Sequence, residues 1–123
     1  EGEPAINVYY AGGEFAPHED KQRITVLIAL SDAASGAFTG GGTAFWSEED
    51  RGPNRSQAQT TPPTCTNHTP AGTALVFSGV VTHGALPVVS GQRTVFVASF
   101  GPRGEEYWHA SRTTRLLSAL RKG

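Results

Sequence analysis

Cysteine is almost missing: Cys65 is the single one in 123 residues, which excludes an internal disulfide framework without choosing a compartment. No apolar stretch approaches the roughly 18 residues that a membrane-crossing helix needs. The first ten residues, EGEPAINVYY, lack the basic-then-apolar order of a secretory leader. Charge of one sign is scarce as well. Ten basic and 11 acidic residues leave a formal net charge of −1, with no long like-charge run. Neither nucleic acid nor a membrane surface is an expected partner. Internal repeats are absent. Asn-x-Ser/Thr triplets at Asn54 and Asn67 fit glycosylation acceptors, a pattern that also arises by chance.

What is present leans toward β structure. Fifteen Gly and eight Pro supply turns, and Val, Thr and Phe favour strands. At 13.0 kDa the chain is expected to be one domain over residues 1–123, with a modest core. It enters a strand by residue 6 and reads as a piece of a longer protein. Strands are predicted at residues 6–10, 15–20, 23–30, 43–46, 73–78, 80–86 and 93–100. The segment RITVLIAL, residues 23–30, is the strongest, apolar at nearly every position, so both its faces should be covered. Residues 31–42 and 87–91 read as turns, and residues 47–70 as one long polar loop. Residues 105–120 turn helical, with Leu116, Leu117 and Leu120 on one face. Short strands with tight turns describe a sandwich or jelly roll.

The chemistry-bearing residues are His18, Asp20, His83 and Arg93. His18 and Asp20 stand at i and i+2, so on extended backbone both side chains face the same way. His83 must arrive from another strand. Two imidazoles and a carboxylate form the set that holds non-haem Fe(II) with coordination positions left open. A guanidinium beyond the last ligand suits a carboxylate-bearing co-substrate, because its planar fork matches a carboxylate bidentately. A lone His-x-Asp would be weak, and His83 alone would be a packed histidine; the full set is far more specific. His68 and His109 have no partner at ligand spacing and read as solvated. Cys65 has no base positioned for it and reads as an ordinary thiol.

At these residues the chain resembles the Fe(II)- and 2-oxoglutarate-dependent oxygenases of the prolyl 4-hydroxylase and procollagen-lysyl hydroxylase type, over residues 8–102. The carrying motifs are Tyr9-x-x-Gly12-Gly13-x-Phe15-x-Pro17-His18-x-Asp20, then Leu30-Ser31-Asp32 with Gly40-Gly41-Gly42-Thr43-x-Phe45, then His83-x-x-x-Pro87-x-x-x-Gly91-x-Arg93. The resemblance implies a mainly β, double-stranded β-helix (jelly roll, cupin-like), here with a C-terminal helix. It implies that His18, Asp20 and His83 are the catalytic iron ligands. Arg93 would pair with the distal carboxylate of 2-oxoglutarate, and Tyr9 would hydrogen-bond the same co-substrate. Ascorbate is implied as an accompanying cofactor. The implied reaction hydroxylates an unactivated C–H bond of a prolyl or lysyl side chain, or of a small molecule, with release of succinate and CO2. Asp20 itself argues for hydroxylation, because related halogenases replace this carboxylate to make room for chloride.

Two departures shape that expectation. Only Lys21 and Gln22 separate Asp20 from the next strand, which is closer to the lysyl hydroxylase pattern. Ala29 and Ser99 stand where many relatives carry large aromatics, and both leave room inside. Competing readings are a jelly-roll binding module without turnover and a cupin-like protein using another divalent metal; Arg93 argues against both. The apolar row Ile24, Val26, Ile28 and Leu30, with Thr94, Phe96, Ala98 and Phe100, is expected on the outside of the barrel. It should be covered by the C-terminal helix or by a lost N-terminal segment, or else drive self-association. Residues 47–70 are expected to be a substrate-facing lid or an uninvolved insertion, and Trp46 to line the mouth or to pack.

Overall fold

The computed structural model of the protein describes residues 4–101. The helix expected at residues 105–120 lies outside them. Among the described residues ten strands form three antiparallel sheets. The larger sheet has the order β1 (Ala5–Tyr9), β10 (Arg93–Phe100), β3 (Ile24–Ala29), β7 (Ala74–Ser78). The facing sheet runs β2 (Phe15–His18), β8 (Thr82–Ala85), β5 (Thr43–Trp46), β6 (Cys65–Asn67). A two-stranded ribbon, β4 (Phe38–Gly40) with β9 (Val88–Gly91), closes one end. The result is a jelly roll. Nearly every neighbouring pair is non-consecutive in sequence, so side chains distant along the chain meet inside it.

Register fixes which side chains look inward. On β3 and β10 the pairs Thr25↔Ser99, Leu27↔Val97 and Ala29↔Val95 alternate with Ile24↔Phe100, Val26↔Ala98 and Ile28↔Phe96. Because neighbours along a strand point to opposite faces, the first row faces the second sheet. Thr25, Ala29 and Val95 are buried there, while Ile24 and Phe100 stay exposed. The expected parity holds. The outer face stays largely open among the described residues, with Phe100 58%, Val76 61% and Ile6 62% exposed. RITVLIAL is therefore covered on one face and only partly on the other.

The second sheet is covered from behind. Residues 47–70 are not an irregular loop. After Trp46 comes a one-turn helix, α1 (Glu48–Arg51), capped by Ser47 Oγ accepting from Asp50 N at 3.1 Å. A tight 3-10 turn (Pro53–Arg55) and strand β6 follow. Ala58, 1% exposed, packs on Ala44 and Trp46, and Trp46 Nε1 donates to Thr61 O at 2.8 Å. Ala44 and Trp46 alternate with Thr43 and Phe45, so this cluster lies on the face away from the barrel interior. Trp46 is a packing residue, and residues 47–61 lie against the back of the sheet, while Asn67, His68, Thr69 and Pro70 of the same 47–70 segment line a cavity on its other side.

The turn expected at residues 87–91 is strand β9, and part of the turn-rich 31–42 stretch is its partner β4. Gly40, Gly41 and Gly42 all have positive φ, at 73°, 67° and 105°, a conformation L side chains resist. They swing the chain from β4 into β5. A Cβ on Gly41 would sit 3.2 Å from Arg93 Cδ, so the bare backbone also makes room for that side chain.

Candidate metal centre

Strand β2 carries His18 at its end, opposite His83 of β8 in register. The two imidazoles meet at a tilt, with centroids 4.3 Å apart and ring planes at 53°. Each ring is oriented by its own strand: His18 Nδ1 lies 2.8 Å from Ala16 O, and His83 Nδ1 2.9 Å from Val81 O. A carbonyl only accepts, so both Nδ1 atoms carry a proton, and in the neutral rings the lone pair is then on Nε2, the tautomer a metal ligand needs. Those Nε2 atoms converge on Asp20, at 3.4 Å from Oδ1 for His18 and 3.3 Å from Oδ2 for His83. One ligand atom from each of the three lies within 4.8 Å of the others. Glu19, between them, turns away and accepts from Thr82 Oγ1 at 3.3 Å. Asp20 itself lies two residues past the end of β2.

Charge states suit a cation. Burial alone would raise the Asp20 carboxyl, but the neighbouring His18, Thr25 and His83 side chains outweigh it and hold the group below its usual range. Burial lowers His83, against opposing pulls from the Val81 carbonyl and Asp20. Phe77 of the opposite sheet supplies apolar cover, its ring 4.6 Å from His83 and 5.1 Å from Phe45. Near neutral pH the pair is an anionic carboxylate beside a neutral imidazole, which are the protonation states that bind metal.

Arg93 belongs to the same interior. It is 8% exposed, and Nη2 donates to Thr43 Oγ1 at 3.0 Å. Thr43 and Phe45 pair with Ala85 and His83 across β5 and β8. The guanidinium therefore reaches the same inner face as His83, two positions along the strand, or about 7 Å. Its centre lies 5.6 Å over the Tyr9 ring, its register partner on β1. Burial lowers the Arg93 pKa from its usual value, with Tyr9 opposing. Tyr9 is raised, chiefly by burial, with Arg93 pulling the other way. Among the described residues no carboxylate pairs with this buried cation. An uncompensated charge in that position is costly and fits an anionic ligand.

A cavity of about 170 Å³ opens at Arg93, lined by Leu27, Ala29, Phe38, Thr43 and Val95 and reaching His68 at its rim. That is below the ~300 Å³ at which drug-sized pockets begin, a size for a small metabolite. Ala29 leaves the space that the sequence suggested. Cys65 and His68 are exposed, and neither joins the three converging side chains. Thr25, Thr43 and Phe77 were not singled out as site residues. Only Thr43, inside the Gly-Gly-Gly-Thr motif, and Thr25, a hydroxyl on an inward apolar row, carried any signal.

Asp32 ties the cavity rim together. Its carboxylate accepts from Ser35 N at 2.8 Å and Ala71 N at 2.9 Å, bonds that hold its pKa below the usual carboxylate value. A depressed folded value means the tie stabilises at neutral pH and is lost in acid, as pH falls through that value. Asp32→Ala should lower the melting temperature and loosen small-ligand binding at Arg93 several-fold, read by thermal unfolding and ligand titration at pH 7.

Compared with known families, residues 4–100 match the 2OG-Fe(II) oxygenase superfamily. A search of curated proteins returns no match.

Proposed function

We propose that this chain, which belongs to the 2OG-Fe(II) oxygenase superfamily, hydroxylates an unactivated C–H bond, that of a prolyl or lysyl side chain in a peptide. Membership itself carries the coarser part: an oxygenase dependent on Fe(II) and 2-oxoglutarate. The observation that carries the assignment to residues is the convergence of His18 Nε2, His83 Nε2 and an Asp20 oxygen beside a buried Arg93 that has no carboxylate partner among the described residues. These donors fit iron, since two neutral imidazoles and one carboxylate leave half of an octahedron open.

In this reading His18, Asp20 and His83 hold the metal, and Arg93 with Thr43 seats the distal carboxylate of 2-oxoglutarate. Bound iron and co-substrate supply the oxidation, in which one oxygen atom of O2 enters the substrate C–H bond and the other enters succinate as CO2 leaves. The protein contributes position and dryness. Arg93 supplies a fixed, charge-assisted contact, the Phe45 and Phe77 rings exclude water behind His83, and the Nδ1–carbonyl bonds keep both imidazoles in the ligating tautomer. Access lies on the His18 side. The His18 side chain is 28% exposed against 7% for His83, and exposed Phe15 packs against it at a tilt with centroids 4.3 Å apart. An open, aromatic-flanked approach suits a side chain presented by an extended peptide.

The test is succinate formation. With Fe(II), 2-oxoglutarate and O2, prolyl- or lysyl-containing peptides should raise succinate release above the uncoupled rate and gain one oxygen atom by mass spectrometry. A peptide panel that leaves the rate unchanged, while small metabolites raise it, would reject the peptide reading and leave the oxygenase standing.

A further inference from the structure

Each of the three converging side chains is held by one bond from outside the trio, and the bond to Asp20 is unlike the other two. His18 and His83 are oriented by backbone carbonyls, those of Ala16 and Val81, which no substitution removes. Asp20 follows the end of β2, where the chain crosses from one sheet to the other. Its backbone is anchored by Asp20 N donating to Gly79 O at 2.9 Å. Its carboxylate is held from the opposite sheet: Thr25 Oγ1 donates to Asp20 Oδ2. Thr25 is 1% exposed, and its hydroxyl has one other neighbour, Ser99 Oγ at 3.4 Å, its register partner on β10.

We propose that Thr25 is a positioning residue for the metal centre, fixing the Asp20 carboxylate between the two Nε2 atoms through a buried hydroxyl donated across the barrel. This rests on reading His18, Asp20 and His83 as the metal ligands. A carboxylate on a crossing segment rotates freely unless something holds it, and a freely rotating ligand binds metal at an entropic cost. The hydroxyl is the only side-chain hydroxyl donor to Asp20 among the described residues. Ser99 sets the other side of that hydroxyl; a large aromatic there would compete with Thr25 for the same space. Partners that orient a metal ligand in this way are worth ~10–100-fold in metal affinity.

The experiment is an anaerobic titration of the metal-free protein with Fe(II), and with Co(II) read by its visible d–d bands. Five proteins are compared: wild type, Thr25→Val, Thr25→Ser, Thr25→Ala and His83→Ala. Thr25→Val keeps the branched shape and removes the hydroxyl, so its metal affinity should fall ~10–100-fold with full band intensity at saturation. Thr25→Ser keeps the hydroxyl and should stay within a few-fold of wild type. Ser and Ala at position 25 differ by that hydroxyl alone, so their gap measures it even if valine perturbs packing. Equal affinities for the Ser and Ala variants would overturn the proposal while leaving the ligand assignment intact. Wild-type affinity in His83→Ala would instead overturn the ligand assignment, and this inference with it.

Discussion

Replacing His83 with alanine is expected to abolish both Fe(II)-dependent succinate formation and the visible charge-transfer band that Fe(II) and 2-oxoglutarate form together without oxygen. The effect should be the largest of any single change, because the remaining pair cannot substitute for the third donor. His18 and Asp20 sit on one short stretch of chain, and His83 is the only contribution from β8. Loss of its ring also removes the group that Phe77 packs against, so the band must be read beside a near-ultraviolet spectrum that confirms folding. A folded His83→Ala protein with the band intact would sink the assignment of this histidine to iron. His83→Gln, which keeps a polar group of similar reach, should fail as well, because an amide is a poor replacement for a neutral imidazole.

The second large effect is expected at Arg93. Arg93→Ala should weaken 2-oxoglutarate binding by about 2–5 kcal/mol, the cost of deleting one member of a buried, hydrogen-bonded charge pair. That is roughly 30-fold to several thousand-fold in affinity. The loss should appear mainly as a raised KM for 2-oxoglutarate, with Fe(II) affinity little changed. Arg93→Lys should recover only part of it, since a point charge lacks the planar fork. Folding should respond in the opposite sense to intuition. In the absence of co-substrate Arg93 is a buried cation without a carboxylate partner among the described residues, so removing it should not lower the melting temperature much beyond the lost bond to Thr43. The wild type, by contrast, should gain thermal stability on adding 2-oxoglutarate, and Arg93→Ala should not. Equal stabilisation of both proteins would place the co-substrate elsewhere.

The parts of this molecule that read well from its sequence are those with a local cause. Alternation on residues 23–30 placed Thr25 and Ala29 inward and Ile24 outward, as β3 does. His18 and Asp20, two residues apart, lie within 3.4 Å of each other, a closeness in sequence that the motif already displays. The parts that read poorly are short or paired at a distance. Strands β4, β6 and β9 span three or four residues each, too short for a periodic signal. They sit among Gly, Pro and polar residues that imitate turns. They are strands because partners elsewhere satisfy their backbones: Phe38↔Gly91 for β4 and β9, Thr43↔Asn67 for β5 and β6. Residues 47–61 looked like an uncommitted loop, since one buried alanine, Ala58, leaves no pattern. Only its landing on Trp46 makes that segment the back cover of a sheet.

Residue identity alone determined the kind of chemistry on offer: which groups could ligate a metal, which cation could meet a diacid, and that a mostly β chain would present them from separate strands. Tertiary structure decided which atoms face one another. Nδ1 protons point to Ala16 and Val81, leaving Nε2 for a ligand; Arg93 is buried without a carboxylate among the described residues; a threonine from the facing sheet holds Asp20. None of these is a property of neighbours in the polymer. Each follows from strand register between segments far apart in sequence, and register is set by burial of whole faces rather than by any single residue.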